Sequence, residues 1–150
     1  PLDWRIAESH AVYWASQGVD YASDTERLMC RRGVYQPLII SLLRGHFTGD
    51  LARKQWRTSG NLALAAATAD FIGETRNEFP SQNITSVYIR YLALAVSLVS
   101  KDGQSAQAHA LFERLLTLLP TDLTKPTFED VAQGWEYRLD PSTEMNHTRN

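Results

Sequence analysis

The sequence predicts an all-α fold in which five to six antiparallel helices pack as helical hairpins. Apolar residues recur at helical spacing along most of the chain, and no segment alternates convincingly in the way a β-strand does. At 150 residues, with 43% hydrophobic and 21% charged residues, the chain can bury one core. We therefore expect a single helical domain over residues 1–140 and a polar tail over residues 141–150.

The first two predicted helices meet through small side chains. The first runs from about Ile6 to Tyr21 and carries a stripe of small residues that lets a neighbouring helix approach closely. Asp24 or Thr25 is expected to cap the second helix, and Pro37 predicts a kink or a division into two short helices. The stripe consists of Ala7, Ala11, Ala15, Gly18 and Ala22.

The middle of the chain is predicted to pass from a loop into a long helix. The loop covers residues 47–50, and the third helix begins by about Lys54. This helix is predicted most strongly between Leu62 and Glu78, where alanine and leucine, both strong helix formers, are concentrated near its start. Pro80 ends it because proline cannot continue a helix.

The last three predicted helices build the core. The fourth, about Ser86 to Ser100, is apolar on nearly all sides, which places it at the centre of the domain. Thr127 begins the sixth helix, with Asp130 three residues later in a variant of the capping box. The residues predicted to point inward are Ala108, Leu111, Phe112, Leu115 and Leu119 of the fifth helix, and Phe128, Val131, Trp135 and Leu139 of the sixth.

The stretch from Val87 to Pro120 resembles a tetratricopeptide repeat. Ala108, Phe112 and Pro120 match the second helix of that repeat, whereas Val96 occupies a position that usually holds glycine or alanine. The match covers one repeat, about residues 89–122, and the pattern finds no second copy upstream. The resemblance implies a helical hairpin that packs against other protein. A tetratricopeptide-like domain and an irregular bundle both remain open, because solenoids usually need several stacked units.

The sequence offers no set of residues for catalysis, a metal or a cofactor. His109 and Glu113 share a helix face, but a surface hydrogen bond or ion pair explains this spacing. Neither Gly45 nor Gly49 is followed by the lysine and hydroxyl pair of a phosphate-binding loop. We expect no enzyme activity, cofactor or metal site, and a structural role for Cys30, the only cysteine.

Aromatic residues exceed what a small helical core needs, which predicts an interaction surface. Tryptophan and arginine are enriched at interface hot spots, and they are adjacent in Trp4-Arg5 and Trp56-Arg57. The alternative is that these residues only cover the ends of the core. We predict a non-enzymatic helical interaction module, either an accessory subunit or the soluble domain of a larger assembly. Its predicted binding residues are Trp4, Arg5, Trp56, Arg57, Tyr88 and Tyr91.

A basic segment suggests an alternative function. Residues 27–57 contain seven basic residues against the single acid Asp50, although the net charge of the chain is -2. We favour internal pairing between helices, but the segment would also suit an anion, a small ligand or single-stranded nucleic acid. That alternative site consists of Arg31, Arg32, Arg53 and Lys54. No apolar run reaches the ~20 residues of a membrane span, while the compartment and an anchor upstream of Pro1 stay open.

Overall fold

The computed structural model describes residues 1–50, 52–121 and 123–136, and it is mostly helical, as predicted. The helices are α1 Ala7–Val19, α2 Asp24–Arg44, α3 Ala65–Glu78, α4 Gln82–Lys101, α5 Ser105–Leu118 and α6 Phe128–Gln133. Two strands, β1 His46–Asp50 and β2 Gln55–Ser59, and a 3₁₀ turn over Leu62–Leu64 connect α2 to α3. The predicted tail at residues 141–150 and the inward position predicted for Leu139 lie outside the described residues.

α1 and α2 pack against each other through the second half of the predicted stripe of small residues. A Cβ atom at Gly18 would lie 2.9 Å from Cys30 Sγ, and one at Gly33 would lie 3.0 Å from Cβ of Ala15. These distances leave almost no room for a side chain, so glycine permits the close approach of the two helices. Ala7, at the other end of the stripe, is exposed.

α2 is one continuous helix. Of the two alternatives predicted at Pro37, a kink or a division into two short helices, the structure contradicts the division. The backbone of α2 is helical from Asp24 to Arg44 with Pro37 inside, so the division into two short helices is wrong. Tyr35 and Leu42 are buried on either side of the proline, and their packing holds both halves in place. The N-cap is Ser23 and not the predicted Asp24 or Thr25, and its backbone N–H and hydroxyl both donate to the carboxylate of Glu26.

The predicted loop at residues 47–50 and the predicted helix start near Lys54 are both wrong. These residues belong to an antiparallel β-hairpin in which His46 faces Ser59 and Asp50 faces Gln55. The two strands contain few apolar residues, whereas a half-buried strand alternates apolar with polar ones, and every residue of β2 is exposed. The hairpin therefore lies on the surface of the helical domain, and none of its described residues belongs to the hydrophobic cluster.

α4 occupies the centre of the core, as its apolar composition predicted. It contacts α3, α5 and α6, and eleven of its residues are buried. α2 contributes Tyr35 and Leu42 to the same cluster. Thr127 caps α6 together with Asp130, also as predicted. Each residue predicted for the inner face of the fifth helix is buried: Ala108, Leu111, Phe112, Leu115 and Leu119.

α4 is also the one helix of the described residues that is long and apolar enough to cross a membrane by length and composition. It has 20 residues and a mean hydropathy of 1.3 over its most apolar window. However, 61% of that window is buried inside the domain. Since a helix surrounded by protein needs the same composition as one surrounded by lipid, we interpret α4 as a core helix.

Candidate functional site

Aromatic side chains divide the molecule into two regions. We call residues 1–50 and 52–61 the N-terminal region, and residues 62–121 and 123–136 the C-terminal region. Every exposed aromatic residue of the described chain lies in the N-terminal region: Trp4, Tyr13, Trp14, Tyr21 and Trp56. The aromatic residues of the C-terminal region are buried or partly buried. A candidate interaction site therefore lies in the N-terminal region.

The first part of this site is a row of aromatic rings along α1, which we call the α1 aromatic row. The Trp4 ring meets His10 and Tyr13 edge-on, with ring centres 5.5 Å and 5.9 Å apart. The row continues from Tyr13 to Trp14 at 5.1 Å, and Trp14 is 70% exposed. His10, Tyr13 and Trp14 share one helix face because they are three to four residues apart. His10 Nε2 also lies 2.8 Å from the carbonyl oxygen of Trp4, which fixes the start of the row.

The second part is a stack on one face of the β-hairpin, which we call the hairpin stack. The Arg5 guanidinium lies 5.5 Å from the centre of the Phe47 ring, and Phe47 stacks on Trp56 at 5.5 Å with 16° between the ring planes. A Cβ atom at Gly49 would overlap the Trp56 ring, so glycine leaves the space that this ring occupies. The stack and the α1 aromatic row begin at neighbouring residues, Arg5 and Trp4.

Asp3 attaches the hairpin stack to the N-terminal turn. Its carboxylate accepts hydrogen bonds from Arg5 Nε at 2.8 Å and Nη2 at 2.7 Å, and from the backbone N–H of Phe47 at 3.0 Å. The Arg5 hydrogen bonds, followed by the bond from Phe47, hold the pKa of Asp3 well below its usual range, although burial acts in the opposite direction. The side chain is only 7% exposed. Asp3 therefore remains ionised and keeps Arg5 and β1 in a defined arrangement.

The predicted binding residues on the N-terminal turn and the hairpin lie on two faces. Trp4 belongs to the α1 aromatic row, and Arg5 and Trp56 belong to the hairpin stack. Arg57 lies on the opposite face of the hairpin, across from Thr48, because successive strand residues alternate in direction. The structure thus joins Arg5 and Trp56 in one stack through Phe47, places Trp4 at the neighbouring residue in the α1 aromatic row, and separates Arg57 from the stack.

The binding roles predicted for Tyr88 and Tyr91 need correction. The two side chains are 8% and 2% exposed, so neither is available on the surface. The Tyr91 hydroxyl donates to the carbonyl oxygen of Ala65 at 2.8 Å, and burial raises its pKa far above the usual range. Both tyrosines are on the central helix, where a polar tip can be satisfied inside the protein.

The prediction missed Tyr13, Trp14 and Phe47 as members of the site. Tyr13 and Trp14 share a helix face with His10, and this spacing is visible in the sequence. Phe47 was not assigned to the site because residues 47–50 were predicted to form a loop and not a strand. Its partner Trp56 lies on the other strand, so the stack becomes visible only once the register is known.

Three of the seven basic residues of this segment pair between helices, as the preferred prediction expected, and a fourth, Arg53, pairs with Asp50 within the hairpin. Arg27 and Arg31 contact Glu78 at 3.3 Å and 2.5 Å and connect α2 to α3. Arg44 contacts Glu8 at 2.7 Å and connects α2 to α1. These pairs neutralise much of the positive charge of α2.

The four residues of the alternative anion site do not converge on one small ligand. Arg31 packs over the ring of Phe71 and pairs with α3, while Arg32 is exposed. Arg31 lies thirteen positions before Arg44, the last residue of α2, a distance of about 20 Å along the helix. Arg53 and Lys54 follow β1, beyond that end. The site therefore divides into two distant pairs.

A cleft of about 320 Å³ lies against the polar face of the hairpin. It brings Arg53 and Arg57 to the same side of the two strands as Asp50, which contacts Arg53 at 3.6 Å. The cleft is shallow and lies on the surface of the domain. Its lining residues are Thr48, Gly49, Asp50, Arg53, Gln55 and Arg57.

The remaining candidates have structural contacts. His109 stacks on Phe128 with ring centres 3.9 Å apart, and its Nδ1 lies 2.9 Å from the carbonyl oxygen of Ser105. Cys30 is partly buried beside Gly18. The described residues contain no group of three or more side chains that could hold a metal ion together.

Comparisons with protein-family models, curated proteins and solved structures find no match to this chain. The tetratricopeptide resemblance therefore stays a prediction. α4 and α5, which carry it, do pack together across a short connection containing Gly103 in the left-handed region, at φ 81°. Val96, the residue that departs from the repeat pattern, is fully buried.

Proposed function

We propose that the protein is a non-enzymatic interaction module whose N-terminal region docks another protein. It would serve as an accessory subunit or as a domain of a larger assembly. The observation that supports this function is the concentration of exposed aromatic side chains in the N-terminal region, next to a C-terminal region that buries its own. Exposed aromatic residues beside arginine are typical of interface hot spots, because a partner can remove their large apolar area from water.

The rigidity of this surface supports the same function. The Asp3 carboxylate holds Arg5 and β1, and Phe47 and Trp56 stack on each other. On α1, ring contacts link Trp4 through Tyr13 to Trp14. Side chains that are already ordered lose little conformational entropy on binding, so more of the contact energy contributes to affinity.

Affinity capture from a native extract tests the proposal. The tagged chain is compared with a Trp14→Ser/Trp56→Ser double variant, which removes one indole from the α1 aromatic row and one from the hairpin stack. Tyr21→Ser is the matched control, because Tyr21 is 90% exposed but belongs to neither group.

We expect a stoichiometric protein partner with the unmodified chain and with Tyr21→Ser, and its loss with the double variant. The far-UV circular dichroism of all three should agree, because the altered side chains lie outside the core. The proposal is wrong if the double variant retains the same partner in the same amount, or if no protein is retained by the unmodified chain at moderate salt.

A second candidate function is anion binding at the polar cleft of the hairpin. The supporting observation is that Arg53 and Arg57 line this cleft together. Titration with inorganic phosphate and with a thymidine oligonucleotide at several salt concentrations separates it from protein docking, since phosphate contacts weaken steeply with salt. Arg53→Gln and Arg57→Gln should each weaken such binding. Binding that is independent of salt and of both substitutions would reject this candidate.

A further inference from the structure

The two edges of the β-hairpin differ in the contacts of their backbone groups. The N–H of Phe47 donates to Asp3 and so points away from β2. In an antiparallel ladder, pairs of facing residues alternate. In one pair the N–H and C=O groups point toward the partner strand, and in the next pair they point away from it. Thr58, which faces Phe47, and Trp56, two residues earlier, therefore direct their N–H and C=O groups outward from β2. Among residues 1–50, 52–121 and 123–136, no group forms a hydrogen bond with these outward backbone atoms.

The outer edge of β2 is consequently open, whereas that of β1 is contacted by Asp3. All residues of β2 are exposed. Just beyond the strand, the N–H of Asn61 donates to the carbonyl oxygen of Ser41 in α2 at 3.0 Å. An open edge strand is a template for another strand, and natural proteins normally block it. A two-stranded hairpin is also only marginally stable in water, so a third strand would stabilise it.

The positive charge of the hairpin favours a third strand that carries acidic side chains. The hairpin carries three basic residues, Arg53, Lys54 and Arg57, against one acid, Asp50. Asp50 contacts Arg53, and in the described part of the chain neither Lys54 nor Arg57 has an ion pair. A carboxylate directly across from Arg57 would be favourable, and Lys54 adds positive charge in the adjoining turn.

The side chains on the two faces of β2 determine which residue types a third strand needs on each face. Trp56 lies on one face and Arg57 on the other, so a strand paired with β2 presents alternate side chains to each of them. An apolar residue beside Trp56 would cover its exposed ring, and an acidic residue would lie beside Arg57. The complementary segment therefore alternates apolar and acidic residues.

We propose that the outer edge of β2 binds an extended acidic segment of the partner protein as a third β-strand. This inference rests on the proposed function and specifies the binding mode and the chemistry of the partner. Pairing with β2 of a second copy is disfavoured because it would bring two sets of basic side chains together. Main-chain hydrogen bonds to Trp56 and Thr58 provide affinity, and the alternating side chains provide specificity.

Fluorescence anisotropy with two labelled peptides of about eight residues, within the range of strand lengths and long enough to span β2, tests the inference. One peptide alternates glutamate with valine, and the other alternates lysine with valine. We expect the glutamate peptide to bind about tenfold or more tightly than the lysine peptide, and its affinity to fall with salt.

Thr58→Pro tests the backbone contribution. Proline lacks the outward N–H of Thr58, so we expect about a tenfold or greater loss of affinity for the glutamate peptide. The hairpin keeps its own hydrogen bonds because this N–H does not point toward β1. Thr58→Val is the matched control, which keeps the N–H and should change the affinity by less than about twofold.

Arg57→Glu provides a second variant that does not depend on tolerance of proline. It should reverse the preference, so that the lysine peptide binds more tightly than the glutamate peptide. Equal binding of both peptides, no binding of either, or unchanged binding of the glutamate peptide by Thr58→Pro would each overturn strand addition. A dimer of the free chain that Thr58→Pro dissociates would also overturn it, because β2 would then bind a second copy.

The failure of this inference is distinguishable from failure of the proposed function. A captured partner that is lost with Trp14→Ser/Trp56→Ser but retained by Thr58→Pro and Arg57→Glu would support docking on the aromatic surface and reject strand addition. A partner lost with all of these variants, and retained with Thr58→Val, would support both.

Discussion

The helix pairs α1–α2 and α4–α5 both pack across short connections, but they bury very different amounts of apolar surface. α1 has two buried residues, Ser9 and Val12, whereas α4 has eleven. α1 approaches α2 through glycine and alanine, so its large aromatic side chains remain on the outer side. α4 meets its neighbours through leucine, valine and isoleucine on several sides. Close helix contact and burial of large side chains are therefore separate properties.

This difference assigns separate roles to the two regions. The C-terminal region, with Tyr35 and Leu42 of α2, contains the main hydrophobic cluster and should provide most of the free energy of folding. The N-terminal region is attached to it mainly through α2 and presents its aromatic side chains outward. We therefore expect substitutions of one residue type to have unequal effects in the two regions.

The largest expected contrast is between two leucine truncations. Leu92 of α4 is 0% exposed, and Leu92→Ala should lower the free energy of unfolding by about 2–5 kcal/mol because it leaves a cavity. Leu43 of α2 is 51% exposed, and Leu43→Ala should cost less than about 1 kcal/mol. Urea denaturation followed by circular dichroism measures both. Equal losses would show that the two regions share the core more evenly than their burial indicates.

The next contrast concerns the junction between the regions. Arg31 pairs with Glu78 of α3, and its side chain is 15% exposed, so Arg31→Ala should cost about 1 kcal/mol. Its neighbour Arg32 is exposed and has no ion pair within the described residues, and Arg32→Ala should remain within about 0.5 kcal/mol of the unmodified chain. The same urea titrations serve for this pair. A larger loss for Arg32→Ala would contradict the assigned junction.

A smaller effect is expected within the hairpin stack. Gly49→Val places side-chain atoms where the Trp56 ring lies, so it should displace that ring while changing the stability of the domain by less than about 1 kcal/mol. The ring current of Trp56 should shift the Gly49 Hα resonances upfield in the unmodified chain, and Thr48→Val, on the opposite face, should preserve this shift. Ordinary Gly49 shifts in the unmodified chain would contradict the position of the Trp56 ring against Gly49.

The smallest effect is a local dependence on pH. The folded-state pKa of Asp3 is lowered from 3.8, so its stabilising contacts are fully present above about pH 4 and are lost as the pH falls toward the folded-state pKa. The Phe47 amide resonance should therefore titrate with a midpoint below 3.8, and Asp3→Asn should abolish this titration. A local probe is required because the pKa values of Glu26 and Asp130 are lowered as well. A midpoint at or above 3.8 would contradict the Asp3 contacts.

The sequence predicts the C-terminal region better than the N-terminal region for a physical reason. The inner face of α5 repeats at helical spacing and is buried mainly against α4, so the pattern and the packing agree. The hairpin depends on partners distant in sequence: Phe47 contacts Asp3, which is 44 residues earlier. A contact between residues so far apart in sequence cannot be predicted from the spacing of neighbouring residues.

Tyr88 and Tyr91 show how two sequence inferences can conflict. The apolar composition of α4 predicts burial on nearly all sides, whereas the excess of aromatic residues predicts exposure of some of them. Burial prevails because α4 contacts helices on several sides and a tyrosine hydroxyl can bond to a buried carbonyl, as that of Tyr91 does to Ala65. Trp56 and Arg57 separate for a different reason, since a strand sends adjacent side chains to opposite faces.

The unequal distribution of tryptophan has a practical consequence. Three of the four tryptophans, Trp4, Trp14 and Trp56, are exposed in the N-terminal region, and α3, α4 and α5 contain none. Intrinsic emission therefore reports mainly on the proposed docking surface, while Trp135, which packs against the hydrophobic cluster, adds a contribution from the C-terminal region. A partner that covers the exposed indoles should shift the emission to shorter wavelengths while the helical signal stays constant. Complex formation could thus be followed by intrinsic tryptophan fluorescence, without an added label.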